Sequence, residues 1–157
     1  MTMMNPASMP ARGGIAGLYE TALRLAGAVP LSVVQLVARL AVANVFWQSS
    51  QSKLASWPVT LQLFAFEYNL PVINPVFAAY MATAAELAGA VLIFFGLFSR
   101  LASLMLLGVV ATIQIFVYPS HWGEHLTWTV PLLLIFARGA GTVSVDHLVR
   151  VFFRARG

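Results

Sequence analysis

Two charged residues stand in stretches otherwise built from apolar side chains: Arg39, eight residues after Leu31, and Glu86, ten residues after Val76. At mid-membrane a charge costs about 2.5–3.5 kcal/mol on the mildest scale, so each should turn inward and find a partner. Counting from the near end of each stretch puts Arg39 about 13 Å and Glu86 about 16 Å from the same side. These matching heights predict an Arg39–Glu86 ion pair. Such a pair either locks helices in register or marks a functional site, and both roles stand at this point.

The second chemical feature is the polar half of the first apolar stretch, Asn44, Trp47, Gln48, Ser49, Ser50, Gln51 and Ser52. Seven residues make almost two helical turns, so Arg39, Phe46 and Lys53 share a face, with Ser50 close by. The spacing predicts a polar pocket lined by Gln48, Ser50 and Lys53, reached from the third stretch by Gln114 and Tyr118, four residues apart. For Gln48 and Ser50 ordinary helix contact is the favoured reading beside the pocket. A quinone needs an apolar slot with one or two hydrogen-bond donors, and Gln48, Gln114, Tyr118 and Lys53 are the candidates.

The third feature is His121-Trp122-Gly123-Glu124-His125, which matches the H-x-x-E-H pattern of inverted zinc proteases. The match fails chemically: it follows Pro119, contains Gly123, and lacks a nearby further ligand. A looser metal site of His121, Glu124 and His125 is the minority reading beside a polar cap for the following helix. The histidines do not fall where two could face one another across a haem. With no cysteine there is no disulfide, dithiol relay or thiolate-held cluster, so any redox role needs an organic cofactor or a partner.

The elements that must position these residues are membrane helices. Of 157 residues, 60% are hydrophobic and only 9% charged, too few to cover a water-facing surface. Four apolar stretches are expected to span: Leu31 to Ser52, Val76 to Leu97, a third that begins after Ser99-Arg100 and ends near Tyr118-Pro119, and Trp122 to Ala137. The first two, of 22 residues, cover about 33 Å; the fourth covers only about 24 Å and contains Pro131. The fold class expected is an all-α, antiparallel integral-membrane four-helix bundle with short amphipathic tails. Residues 1–30 form an N-terminal tail with an interfacial helix rather than a cleavable signal, 31–138 the four-span domain, and 139–157 a basic tail. Between the first two spans, Trp57 to Tyr68 reads as a partial helix at the interface.

The net charge of +4 suits anionic headgroups and topology rather than nucleic acid. One side carries Arg12, Arg24, Arg100, Arg138, Arg150, Arg154 and Arg156; the other carries only Lys53, with Glu67 and Glu124. Both termini are therefore expected in the cytoplasm.

Particular stretches resemble the DoxX family of small bacterial membrane proteins, over roughly Leu36 to Leu148. They are Ala38-Arg39-Leu40 through Ser52-Lys53-Leu54, Ala84-Ala85-Glu86-Leu87, Leu97-Phe98-Ser99-Arg100-Leu101-Ala102, and Ala137-Arg138-Gly139-Ala140-Gly141 with Ser144-Val145-Asp146. The resemblance implies a bacterial inner-membrane protein related to the membrane subunit of a thiosulfate:quinone oxidoreductase. Relatives belong to redox or oxidative-stress assemblies, and some accompany metal-handling systems. It marks Arg39, Lys53 and Glu86 as the family's polar positions, without catalytic roles. The family's usual glycine in the first span is replaced near Ser49-Ser50. The function expected is a membrane subunit of such a system that binds a quinone-like molecule and works with a protein partner. The alternative is a non-enzymatic scaffold for a soluble partner, in metal homeostasis among other settings.

Overall fold

A computed structural model describes residues 14–156. Expectations for the first thirteen residues and for Gly157 lie outside the described residues. Among those described, the ordered elements are all helices. The first is α1 (Ile15–Gly27); none of its side chains is buried and Arg24 lies in its last turn.

The second unit starts with α2 (Leu31–Ala55), directly after Pro30. Its inward face is Gln35, Arg39, Val42, Ala43, Phe46 and Ser50, all buried. The spacing of three and four residues is that of one helical face. The first part of the following connection is helical, up to Tyr68. α3 (Trp57–Gln62), with Pro58 in its first turn, runs into a π-helical turn, Leu63–Tyr68, closed by Asn69 in the left-handed region. Phe64 of this turn packs with Ala78 and Ala79 of the next helix.

That helix, α4 (Pro75–Phe95), has a defined start and stop. The Asn74 side chain accepts from the backbone N–H of Val76 and Phe77, Pro75 occupies the first turn, and Gly96 ends the helix at φ 68°. α5 (Ser99–Thr112) continues into a second π-helical turn, Ile113–Val117. α6 (Trp122–Arg138) keeps Pro131 within it, and α7 (Val145–Arg154) begins at Ser144, whose Oγ accepts from His147 N–H.

α2 packs on α4 and α6, and α5 packs on the same two helices. Between them lies the core of Val42, Phe46, Ala90, Ile93, Leu106, Val110, Leu132 and Ile135. Outside it, large apolar side chains are exposed on every long helix, among them Val37, Phe77, Leu104 and Val130. So much exposed apolar surface is unsuited to water and suited to lipid. Among the described residues, three helical segments are long and apolar enough to cross a membrane: Leu31–Ala55, Pro75–Phe95 and Ser99–Val117. α6, at 17 residues, is shorter than these.

Two anchors join the ends of these helices. Arg39 donates from Nε to the carbonyl of Ile93 (2.8 Å), from Nη1 to those of Ala140 (3.2 Å) and Val143 (2.5 Å), and from Nη2 to that of Phe94. The carbonyls of Ile93 and Phe94 belong to the last turn of α4, which carries partial negative charge; that of Ile93 also accepts from Gly96 N–H at 3.1 Å. The Asp146 carboxylate accepts from the N–H of Phe98 and Ser99 and from Ser99 Oγ at 2.7–2.9 Å, capping α5 from outside it.

Candidate binding cavity

The predicted Arg39–Glu86 pair is not formed. Arg39 is satisfied by four main-chain carbonyls, and Glu86 pairs instead with Lys53. Lys53 Nζ lies 2.9 Å from Oε1 and 2.7 Å from Oε2 of Glu86, and 2.8 Å from Ser49 Oγ. The height argument failed because it matched helix ends that are not level. Arg39 binds the end of α4, so α2 begins eight residues, about 12 Å, beyond that end. Glu86 is then too far up α4 for Arg39. Lys53, near the far end of α2, reaches it with a long flexible stem. Glu86 is only 2% exposed and Lys53 11%.

This pair lies in the wall of a cavity of about 670 Å³ between α2, the Leu63–Tyr68 turn, α4, α5 and α6. Phe46, Phe64, Phe77, Met81, Met105 and Trp128 supply much of its apolar lining. Small residues of α4, Ala78, Ala82 and Ala85, leave the space open. Gly89 serves a different purpose, since a Cβ there would come within 2.6 Å of Leu106 Cδ2; its lack of a side chain lets α4 and α5 close below the cavity.

At the other end the cavity is edged by Tyr68, Tyr118, Glu124 and His125. The Tyr118 hydroxyl donates to Glu67 and is hydrogen-bonded to Tyr68. The hydrogen bond to Glu67 is the main cause that pushes Tyr118 well above the ordinary tyrosine range, with burial adding to it. Burial is the main cause that raises Tyr68. His125 is buried with Nδ1 2.5 Å from Gln114 Oε1, while Gln114 Nε2 donates to the Pro119 carbonyl at 2.7 Å. That carbonyl can only accept, so the amide must turn its oxygen to the histidine. Nδ1 therefore donates to Gln114, and Nε2 is the ring nitrogen that Gln114 does not engage.

Of the five predicted pocket residues, Lys53 and Tyr118 line the cavity. Gln114 stands behind it, orienting His125. Ser50 is fully buried and donates to the Trp47 carbonyl, and Gln48 is exposed, donating to Asn44 on its own helix. The pocket expectation is corrected at both positions: Ser50 faces helix backbone and Gln48 the outside. Glu86, Tyr68 and Trp128 were not assigned to the pocket from sequence; Ser49 belongs to the polar half of α2 expected to line it and stands four residues before Lys53, one helical turn away. His121, Glu124 and His125 do not gather: among the described residues no three His, Asp or Glu side chains are arranged to hold a metal ion. His125 is committed to Gln114, and the ring of His121 lies against Tyr118.

The DoxX family model matches residues 34–119, more than half the sequence. The chain belongs to the DoxX family. The matched stretch contains Arg39, Lys53 and Glu86, so both the α4 anchor and the cavity's ion pair belong to the DoxX portion. No curated protein and no solved structure matches the chain.

Proposed function

We propose that this DoxX protein is a membrane subunit that holds a quinone-like molecule in the cavity, serving a redox or oxidative-stress assembly. The Lys53–Glu86 pair, set into an otherwise largely apolar cavity of about 670 Å³, carries the reading. That volume falls within the range of small-molecule sites, where a few polar groups fix orientation against apolar walls. Lys53 has three N–H donors already directed to Ser49 and Glu86, so a ligand carbonyl must share one of them. The Glu86 oxygens keep lone pairs for a ligand hydroxyl. His125 Nε2, the ring nitrogen not engaged by Gln114, is a further polar atom in the lining. No cysteine is available to carry electrons, so a partner protein supplies or removes them.

The fold that supports this reading is an antiparallel four-helix membrane bundle of α2, α4, α5 and α6, with α6 as a short fourth span. Both termini lie in the cytoplasm of a bacterial inner membrane, on the arginine-rich side. α1 and α7 then lie as amphipathic tails on that side, and α3 with its π-helical turn caps the opposite one. Reporter fusions at Asn69 and after Gly157 test this arrangement and should report opposite sides.

For the ligand, the protein in lipid nanodiscs is titrated with a short-tailed ubiquinone analogue and tryptophan fluorescence is followed. Trp128 lines the cavity, so saturable quenching is expected. Ala82→Phe, which fills the space one helical turn from Glu86, should weaken binding at least tenfold; Leu104→Ala, on the exposed side of α5, should not. Absence of saturable binding by the unmodified protein, or binding indifferent to Ala82→Phe, overturns the reading.

A scaffold role is the second reading, and α7 favours it. Leu148, Val151, Phe152 and Phe153 are exposed beside Arg150, Arg154 and Arg156, a basic apolar surface open to a soluble partner. Partner capture that survives Ala82→Phe but not replacement of α7 would favour it.

A further inference from the structure

The amides of the polar half of α2 are not used by the cavity. Val34, Val37, Ala41, Asn44, Gln48, Gln51 and Ala55 are all exposed, and they follow one another at intervals of three and four residues. That alternation is the repeat of a helix-pairing seam. The seam runs along the side of α2 turned away from Arg39, Phe46 and Lys53.

Its depth makes it unusual. Asn44 adjoins Val91 and Phe94 in a shallow groove between α2 and α4, so it lies about one turn inside the end of the α4 span; Gln48 is a further turn along. At this depth lipid offers no hydrogen bonds. The Gln48 Nε2 to Asn44 Oδ1 bond, 3.1 Å, uses one donor and one acceptor of the two amides and leaves the rest to an outside partner. Amides serve as interhelical glue in membranes, and small residues such as Ala41 and Ala55 let backbones approach.

We infer that this face of α2 is the interface of a homodimer, with α2 of a second copy laid along the same seam. An amide both donates and accepts, so Asn44 and Gln48 of one copy can complete Asn44 and Gln48 of another across a two-fold axis. No charged side chain lies on the seam to oppose self-pairing. A few polar positions in such a seam set register and number of chains. The interface is independent of what the cavity binds.

The absence of cysteine gives a direct test. Single Ala41→Cys, Asn44→Cys, Gln48→Cys and Gln51→Cys variants are oxidised in native membranes beside controls at Leu104 of α5 and Val130 of α6, which are also exposed. The seam positions should give a disulfide-linked species of twice the chain mass and the controls should not. In the full-length protein, Asn44→Leu/Gln48→Leu should weaken self-association on dilution into lipid by about fivefold or more. Equal cross-linking at the controls, none at the seam, a product with a different protein, or self-association unchanged by the double substitution each overturns the proposal.

Discussion

Replacing Lys53 with methionine removes the cation bonded to Glu86 while keeping the length and apolar body of the side chain. Glu86 is 2% exposed and lies in the middle of α4, with both carboxylate oxygens 2.9 Å or less from Lys53 Nζ. Its short side chain cannot reach either end of the helix. Breaking a buried pair by removing one partner costs about 3–5 kcal/mol, and the acid can shed its charge by taking up a proton, which favours the lower end. For a chain of this size each kcal/mol is worth roughly 2–4 °C, so the expected fall in Tm is about 6–20 °C. The reverse change, Glu86→Gln, should cost less. Lys53 stands within three residues of the end of α2 and can turn its ammonium toward the interface. The double variant Lys53→Met/Glu86→Gln should recover most of the loss, with a coupling of about 1–3 kcal/mol. Thermal unfolding of the two single variants and the double, in one detergent, measures all three. If the single effects add to within about 0.5 kcal/mol, the two groups do not stabilise one another and the reasoning fails.

Gly89→Ala should overpack the α4–α5 contact by about 1–3 kcal/mol, partly offset by alanine's roughly 1 kcal/mol advantage within a helix. Denaturation of Gly89→Ala/Leu106→Ala should show less than the sum of the single losses, because the same Leu106 atoms are involved. Arg39→Lys retains the charge but loses the fork that spans four carbonyls. Hydrogen exchange at 140–146 should quicken while quinone binding stays unchanged, and unaltered exchange would refute the anchoring role. Tyr68 and Tyr118 should remain protonated above the ordinary tyrosine value of about 10. A folded value raised in this way means that Tyr118 contributes its full stabilisation below about pH 10 and loses it as pH climbs through the raised value. Alkaline titration of tyrosinate absorbance should lose a late component in Tyr118→Phe; an unchanged curve would contradict the Glu67 contact.

Helix positions were legible in the sequence because each long stretch is apolar and bounded by turn signals. Pro30, Asn74-Pro75 and Gly96 open or close the helices they flank. The shared face of Arg39, Phe46 and Lys53 was legible too, since it needs only the period of one helix. What one helix cannot reveal is its vertical offset from the next. That offset decided the ion pair, and it was set by main-chain carbonyls at the end of α4 that leave no pattern in side-chain types. Gln48 was misplaced for a related reason. A polar segment signals that lipid is unsuitable on some side, and either an internal cavity or a neighbouring chain can answer it. His125 and Gln114 lie on separate helices, eleven residues apart, and became partners only because the Pro119 turn folds α6 back beside the Ile113–Val117 turn.

Arg39 joins α2, α4 and the 139–144 turn using main-chain acceptors alone. Substitution tolerance around it should therefore be uneven. The acceptor positions Ile93, Phe94, Ala140 and Val143 can change type without loss of a single bond to the guanidinium, provided the backbone keeps its path. Gly96 cannot: at φ 68° a Cβ would lie 2.8 Å from Arg39 Cζ and 2.5 Å from Ser144 Cβ. The junction thus concentrates its sequence requirement in one arginine and one glycine, 57 residues apart, and asks little of the side chains whose backbone supplies its carbonyls.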